Sequence, residues 1–188
     1  RVLGIRENQT LEVTINNMDK GNLVHEILEN LYLPYQNKIL KASDFDEMRY
    51  NLLPIMEDKY QSIYHGNNMR TGRNYIIFEV LKKSILDFLA IEEASINQGN
   101  EIKILDLEKS FEHSINIPEL DFPIKLIGIV DRMDQFNGTL RIIDYKTGLI
   151  KPKQLRLSDW KALRLDTDLA YLFQILIYSY VHANRISG

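Results

Sequence analysis

The pair Asn137-Gly138 limits the possible folds more than any other feature of this chain. It separates two apolar runs, Ile124 to Met133 and Thr139 to Tyr145. Asn-Gly between such runs signals a two-residue type I′ hairpin turn, because both central residues need positive φ. A two-residue turn fixes the register. Phe136 then faces Thr139, Asp134 faces Arg141, and Asp131 faces Asp144. Facing side chains lie on the same side of the sheet, about 5 Å apart at Cβ. Alternation adds Lys146 to that side and turns Tyr145 to the other. Two aspartates and a lysine are thus expected on one face of an otherwise apolar hairpin.

Around this hairpin the pattern runs helices, strands, helix. Leu23, Val24, Ile27, Leu28 and Leu31 have helical spacing over Lys20 to Tyr32. A second helix is expected from an N-cap near Ser43, kinked or ended by Pro54. Tyr64 to Gly72 reads as a loop. A long amphipathic helix follows, with Ile77, Val80, Leu81, Ile85, Phe88 and Leu89 on one side, broken at Asn97-Gln-Gly99-Asn. Ile102 to Ile117 alternates like a strand, and Pro118 ends it. The nearly continuous apolar run from Ile124 suits a strand covered on both faces. Lys151 to Arg164 reads as irregular. Asp168 to His182 reads as a helix burying Leu169, Leu172, Phe173, Leu176, Ile177 and Tyr180.

The expected fold class is α+β, a mixed α/β arrangement in which a central sheet built on the hairpin is flanked by helices. The 188 residues suit a single domain, residues 1–188, with a helical part to about residue 98 and a sheet core with a final helix after it. The chain opens on Arg1 and stops just after the last helix, so it is expected to be a piece of a longer polypeptide.

Composition narrows the function classes. There is no cysteine, which excludes a disulfide framework, a zinc ribbon, an iron–sulfur cluster and a thiol nucleophile within these residues. No run of about 18 apolar residues exists, so no membrane span is expected. With no signal peptide in view, the expected location is cytoplasmic. The formal charge is -3, so nucleic-acid binding needs a local patch.

Directly opposed like charges destabilise a sheet. Lys146 can neutralise one aspartate, and a divalent cation can bridge both. An oxygen donor set suits Mg²⁺, with Mn²⁺ as substitute. A structural Asp–Lys–Asp salt-bridge cluster fits the same spacing, and the hairpin leaves both readings open.

Gly128-Ile-Val-Asp131-Arg132-Met-Asp134 followed by Asp144-Tyr-Lys146-Thr-Gly148 resembles the signature of the PD-(D/E)XK nuclease superfamily, nearest its RecB/AddB-like branch. That resemblance implies a restriction-endonuclease-like core with a catalytic hairpin. It implies that Asp131 and Asp144 bind the metal, that Lys146 is catalytic and that the Tyr145 backbone carbonyl completes the coordination. Gly21-Asn-Leu-Val-His25-Glu-Ile-Leu-Glu29 resembles the branch's early helix, whose histidine joins the metal site. His25 falls off the apolar arc, with Glu29 one turn on to orient its ring. Gln174-Ile-Leu-Ile-Tyr178 resembles the Q-x-x-x-Y pair, placed near the site and facing DNA or the catalytic strands. The family's further glutamate corresponds to either Glu79 or Glu108. A solvated glutamate is the expected reading of each, and neither enters the site. The missing cysteines exclude the iron–sulfur variant of this domain.

From Tyr145 to Leu165 the chain has Lys146, Lys151, Lys153, Arg156, Lys161 and Arg164 against the single acid Asp159, and it includes Trp160. A basic and aromatic stretch beside a phosphodiester-cleaving site suits a nucleic-acid track. Lys151, Lys153, Arg132, Gln174 and Tyr178 are the candidates for DNA contact. The expected function is a divalent-metal-dependent DNA nuclease, exonucleolytic by resemblance. It would be one module of a DNA repair or recombination helicase–nuclease, with a helicase domain or subunit as partner. The rival is a non-catalytic DNA-binding or scaffolding module of the same fold. A third reading, a structural protein with a charge cluster, binds no metal.

Overall fold

The computed structural model describes residues 17–63, 72–157 and 159–183. Residues 64–71 of the loop expected from Tyr64 to Gly72, and the opening residues, lie outside them. The elements run α1 (Asn17–Tyr32), a 3-10 turn (Leu33–Tyr35), α2 (Ala42–Ile63), α3 (Gly72–Asn97), β1 (Ile102–Ile115), β2 (Ile124–Phe136) and β3 (Thr139–Ile143). After a second 3-10 turn (Pro152–Leu155) come α4 (Trp160–Leu165) and α5 (Ala170–Val181). No described helix is long and apolar enough to cross a membrane.

The three strands form an antiparallel sheet in the order β1-β2-β3. Asn137 and Gly138 both have positive φ, 51° and 80°, as a type I′ turn requires. The register follows: Asp134 pairs with Arg141 and Phe136 with Thr139, and the ladder ends at Arg132 with Ile143. β3 therefore stops one residue short of Asp144. The register between β1 and β2 shifts by one between Ile104 and Asp106.

Helices cover both faces of the sheet. On one face α1, α2 and α3 enclose the main core, which includes Ile27, Tyr32, Phe45, Met56, Ile85 and Leu89. On the other, α5 brings Tyr178 against Val130 and Met133, with Phe111, Leu140 and Ile142 beside them. The chain after the first 3-10 turn pairs with the end of β1, through Leu40 N–H to the Ile102 carbonyl at 2.8 Å and Ile104 N–H to the Lys38 carbonyl at 3.1 Å.

Several local expectations are corrected. α2 begins at Ala42, and Ser43 lies inside it. The cap is the Asp44 carboxylate, which accepts the Lys41 N–H at 2.8 Å. Pro54 does not end α2. It lies on the exposed side, where water can satisfy the carbonyl it frees, while Met48, Leu52, Met56 and Tyr60 pack on the other side. In α3 the buried line is Phe78, Leu81, Ile85, Leu89 and Glu92, and Val80 is exposed. β2 is covered on both faces only near its second half, since Ile127 and Ile129 are exposed. The stretch from Lys151 is not wholly irregular: Asp159 caps α4 by accepting the Lys161 N–H. On α5, Phe173 and Tyr180 are exposed and Tyr178 is buried instead.

Gly128 has a packing reason to be glycine. A Cβ there would stand 2.7 Å from Phe111 Cζ and 2.8 Å from Cε1. The Phe111 ring in turn meets the Tyr178 ring edge-on, centroids 5.9 Å apart. Gly128→Ala is expected to lower stability by about 1–3 kcal/mol, the usual cost of overpacking. Adding Phe111→Leu makes room, so the double variant should be more stable than additivity predicts. Thermal unfolding of the variants checks this. An alanine variant as stable as the wild type contradicts the close approach.

Candidate metal centre

Four elements deliver the site. α1 supplies His25, β1 supplies Glu108, β2 supplies Asp131, and the segment after β3 supplies Asp144, Tyr145 and Lys146. Hydrophobic residues on either side of His25 dock α1 on the core and leave the ring half-buried at its edge.

Beyond the end of the ladder, the Asp131 side chain takes over the pairing. Its Oδ2 accepts the Tyr145 N–H at 2.6 Å. The Tyr145 carbonyl lies 2.9 Å from His25 Nε2. The Tyr145 ring points the other way, as alternation predicts. It is buried edge-on between His25, centroids 5.9 Å apart, and Phe88, 5.6 Å apart. The other ring nitrogen, His25 Nδ1, lies 3.4 Å from Asp131 Oδ1 and 3.7 Å from Glu108 Oε1. One ligand atom from each of His25, Glu108 and Asp131 lies within 4.8 Å of the others.

Glu108 belongs in this group, contrary to the solvated reading. It stands opposite Asp131, between the pairs Leu107 with Arg132 and Lys109 with Val130. Its φ is +43°, a conformation that L residues with side chains rarely adopt. Its Oε1 is buried and has no hydrogen-bond partner. Burial chiefly, then the Asp131 charge, pushes the Glu108 carboxyl above the ordinary range, against the pull of His25. Asp131 is raised too, burial again being the main cause and Asp144 a further one. The Tyr145 N–H, His25 and Lys146 oppose that rise. Glu79 is the solvated one, half-exposed and paired with Lys82 on α3. Glu108 stands opposite Asp131 only because the register shifts by one between Ile104 and Asp106, and no count along the sequence reveals that shift.

Asp144 and Lys146 form an ion pair beside this cluster. Asp144 Oδ1 also accepts from Gln174 Nε2 at 2.9 Å. The Lys146 Nζ lies 5.4 Å from the Tyr171 ring centroid. Gln174 donates to the Tyr178 hydroxyl at 2.6 Å, and that hydroxyl donates to the Ile129 carbonyl at 2.7 Å. The pair therefore ties α5 to β2 and to the segment after β3. Assigning Tyr178 to DNA contact is corrected, because the residue is buried. The Gln174 amide is already engaged by Asp144.

Arg132 is a second correction. It is 0% exposed and ion-paired with Glu92 and Asp134, so it cannot meet DNA. Strand alternation turns it away from the side chain of Asp131. Nor is Glu29 the group that orients His25; the Tyr145 carbonyl and the two carboxylates do so. Lys151 and Lys153 are exposed, and Lys153 is paired with Asp168 at 2.5 Å. Trp160 is 70% exposed. A cavity of about 480 Å³ opens beside Asp144 and Lys146, walled by Ile142, Ile150, Tyr171 and Ile175.

The donor set of carboxylates, a carbonyl and one imidazole suits a hard divalent cation. The unsatisfied buried Glu108 oxygen is the observation that such an ion would relieve.

The model of the PD-(D/E)XK nuclease superfamily matches residues 1–186. The chain belongs to that superfamily. This nuclease-superfamily chain is also 31% identical over 141 residues to a subunit of an ATP-dependent helicase/deoxyribonuclease from Clostridium perfringens. The match covers 69% of this chain and 12% of that protein. It is 26% identical over 155 residues to an uncharacterized protein of Rickettsia conorii, covering 82% of this chain and 17% of the relative. No solved structure shows a significant match. The described mixture of helices and an antiparallel sheet agrees with the restriction-endonuclease-like α+β fold of the superfamily.

The raised Glu108 carboxyl sets a pH-dependent cost. Because its folded-state pKa lies above the unfolded one, ionised Glu108 opposes folding above the folded value. That cost vanishes as the pH falls below the unfolded value. In EDTA, Glu108→Gln is expected to raise the melting temperature at neutral pH, by roughly 2–4 °C for each kcal/mol relieved. The gain should shrink as the pH falls through about 4 and disappear below it, where the wild-type group is protonated in both states. A gain that stays constant across this range contradicts the strained carboxylate.

Proposed function

We propose that this chain is a divalent-metal-dependent DNA nuclease domain that hydrolyses phosphodiester bonds as one module of a larger helicase–nuclease. The observation that carries the reading is the grouping of His25, Glu108 and Asp131 around one point, with a buried carboxylate oxygen left without a hydrogen-bond partner and the Tyr145 carbonyl on the other nitrogen of the His25 ring. Asp144 adds a further carboxylate beside them. Likeness to part of a helicase/deoxyribonuclease supports the setting. Mg²⁺ is the expected ion, with Mn²⁺ as substitute. Exonucleolytic action, a role in repair and recombination, a helicase partner and a cytoplasmic location are parts of the same proposal.

A bound cation supplies a polarised phosphoryl oxygen and an activated water. The chain's own residues do the rest. Asp131, Asp144 and Glu108 would hold the ion by their oxygens, and His25 would offer a ring lone pair. Lys146, which pairs with Asp144, would be released from it if a bound ion took that carboxylate's charge. Its ammonium then stabilises the negative charge that develops on the phosphate. Exposed Lys151, Lys153, Arg156 and Lys161 track the DNA backbone, and Trp160 offers a stacking surface.

The salt-bridge reading draws on the Asp144–Lys146 pair. It accounts for that pair and leaves the buried Glu108 oxygen without a hydrogen-bond partner, so the metal reading is preferred.

Labelled single- and double-stranded DNA incubated with the chain in Mg²⁺, Mn²⁺ or EDTA tests the proposal. Cleavage is expected with either metal and none with EDTA. Lys146→Ala should lower the rate by at least about 10²-fold, the scale of one lost charge-stabilising group, with little loss of DNA affinity. A lysine variant that cleaves normally removes Lys146 from the mechanism. Metal-independent cleavage, or none with any metal, contradicts the reading.

A further inference from the structure

A second cluster of charged side chains lies behind the site and takes no part in the proposed chemistry. Arg132 is wholly buried. It donates from Nη1 to Glu92 Oε2 at 3.1 Å and from Nη2 to Glu92 Oε1. It also donates to Asp134 Oδ2, from Nε at 2.8 Å and from Nη2 at 2.6 Å. Its guanidinium stacks on the Tyr32 ring, 4.5 Å from the centroid. The Tyr32 hydroxyl donates to Glu92 Oε2 at 2.5 Å. Arg141 closes the cluster by donating to both oxygens of Asp134, at 2.9 Å each. Two cations face two anions, so the group balances without solvent.

Replacing such a cluster by apolar side chains of equal volume is often neutral or stabilising. Its bidentate forks fix geometry more tightly than apolar packing does. Here they join α1, α3, β2 and β3 at one point. Tyr32 lies two turns along α1 from His25, on nearly the same side, about 10.5 Å away. Arg132 is the residue next to Asp131. The tie from Tyr32 through Glu92 to Arg132 therefore sets how closely the histidine helix approaches the aspartate strand.

We propose that Glu92 and Tyr32 are positioning residues of the metal centre: through Arg132 they fix α1 against β2, so that His25 reaches Asp131 and the Tyr145 carbonyl. This rests on the metal reading above. Burial holds the Tyr32 hydroxyl protonated, far above the ordinary tyrosine range, so it remains a donor to Glu92 at working pH.

The test is Mn²⁺ affinity, measured by calorimetry at a temperature where circular dichroism shows every variant folded. Tyr32→Phe removes only the hydroxyl, and Glu92→Gln keeps the shape and removes the charge. Each is expected to weaken Mn²⁺ binding about 10–100-fold, as loss of partners behind a ligand does. Tyr32→Phe keeps the ring in place and carries the test if Glu92→Gln fails to fold. Repeating both substitutions in a His25→Ala background separates positioning from general loosening. If they act through His25, their effect there should fall to about twofold or less. An equal loss with and without His25 overturns the proposal, as does an unchanged affinity in the wild-type background. A wild-type chain that binds no Mn²⁺ overturns the metal reading itself, and this inference with it.

Discussion

The backbone at Tyr145 is where the architecture becomes a site. Its N–H is taken by Asp131 and its carbonyl faces His25, while its ring is buried between His25 and Phe88. The ladder between β2 and β3 has already ended at Arg132 and Ile143. A side chain thus replaces a backbone carbonyl as the acceptor, and the strand continues without its ladder. That replacement frees the Tyr145 carbonyl from sheet pairing and leaves Asp144 and Lys146 on the open side. The buried ring keeps the arrangement from fraying as most strand ends do. Displacing the ring would move both polar atoms of the same residue.

Two clusters of charge sit back to back on β2, and they differ in how they are satisfied. Arg132 and Asp134 face α1 and α3, where every charge has an opposite partner. Asp131 lies beside Glu108, Asp144 and a histidine, an excess of negative charge with one buried carboxylate oxygen lacking a hydrogen-bond partner. Both carboxyl shifts on the site side run upward, the direction in which burial and like charge oppose ionisation. A fold that balances one cluster so completely while leaving its neighbour unbalanced a residue away makes the second the candidate place for a cation. Lys146 supplies part of the missing positive charge through Asp144.

The sequence makes short-range geometry legible. Asn137-Gly138 sets the β2–β3 register, because a two-residue turn permits few pairings, and the pairing of Asp134 with Arg141 follows. Helices α1 and α3 could be read from their apolar spacing. What the sequence hides depends on contacts far apart in the chain. Pro54 is tolerated because α2 is held from its other side. Val80 is apolar, yet it faces solvent. Arg132 looks like a DNA contact next to Asp131, and burial by Tyr32 and Glu92, 100 and 40 residues away, makes it structural. Glu108 needed the β1–β2 register, and a one-residue shift removes that from any count along the sequence. Gln174 and Tyr178 share a helix side, as spacing implies, but only the packed structure turns that side toward the strands.

Anomalous scattering from crystals grown with Mn²⁺ tests the central claim most directly. One peak is expected at the point where His25, Glu108 and Asp131 converge, with Asp144 beside them, at about 2.0–2.6 Å from the donor atoms that bind it, the range for divalent cations with such ligands. Lys146 should then have moved off Asp144. Well-ordered side chains at this point with no peak there, and Lys146 still paired with Asp144, would contradict the metal centre and leave only a structural charge cluster.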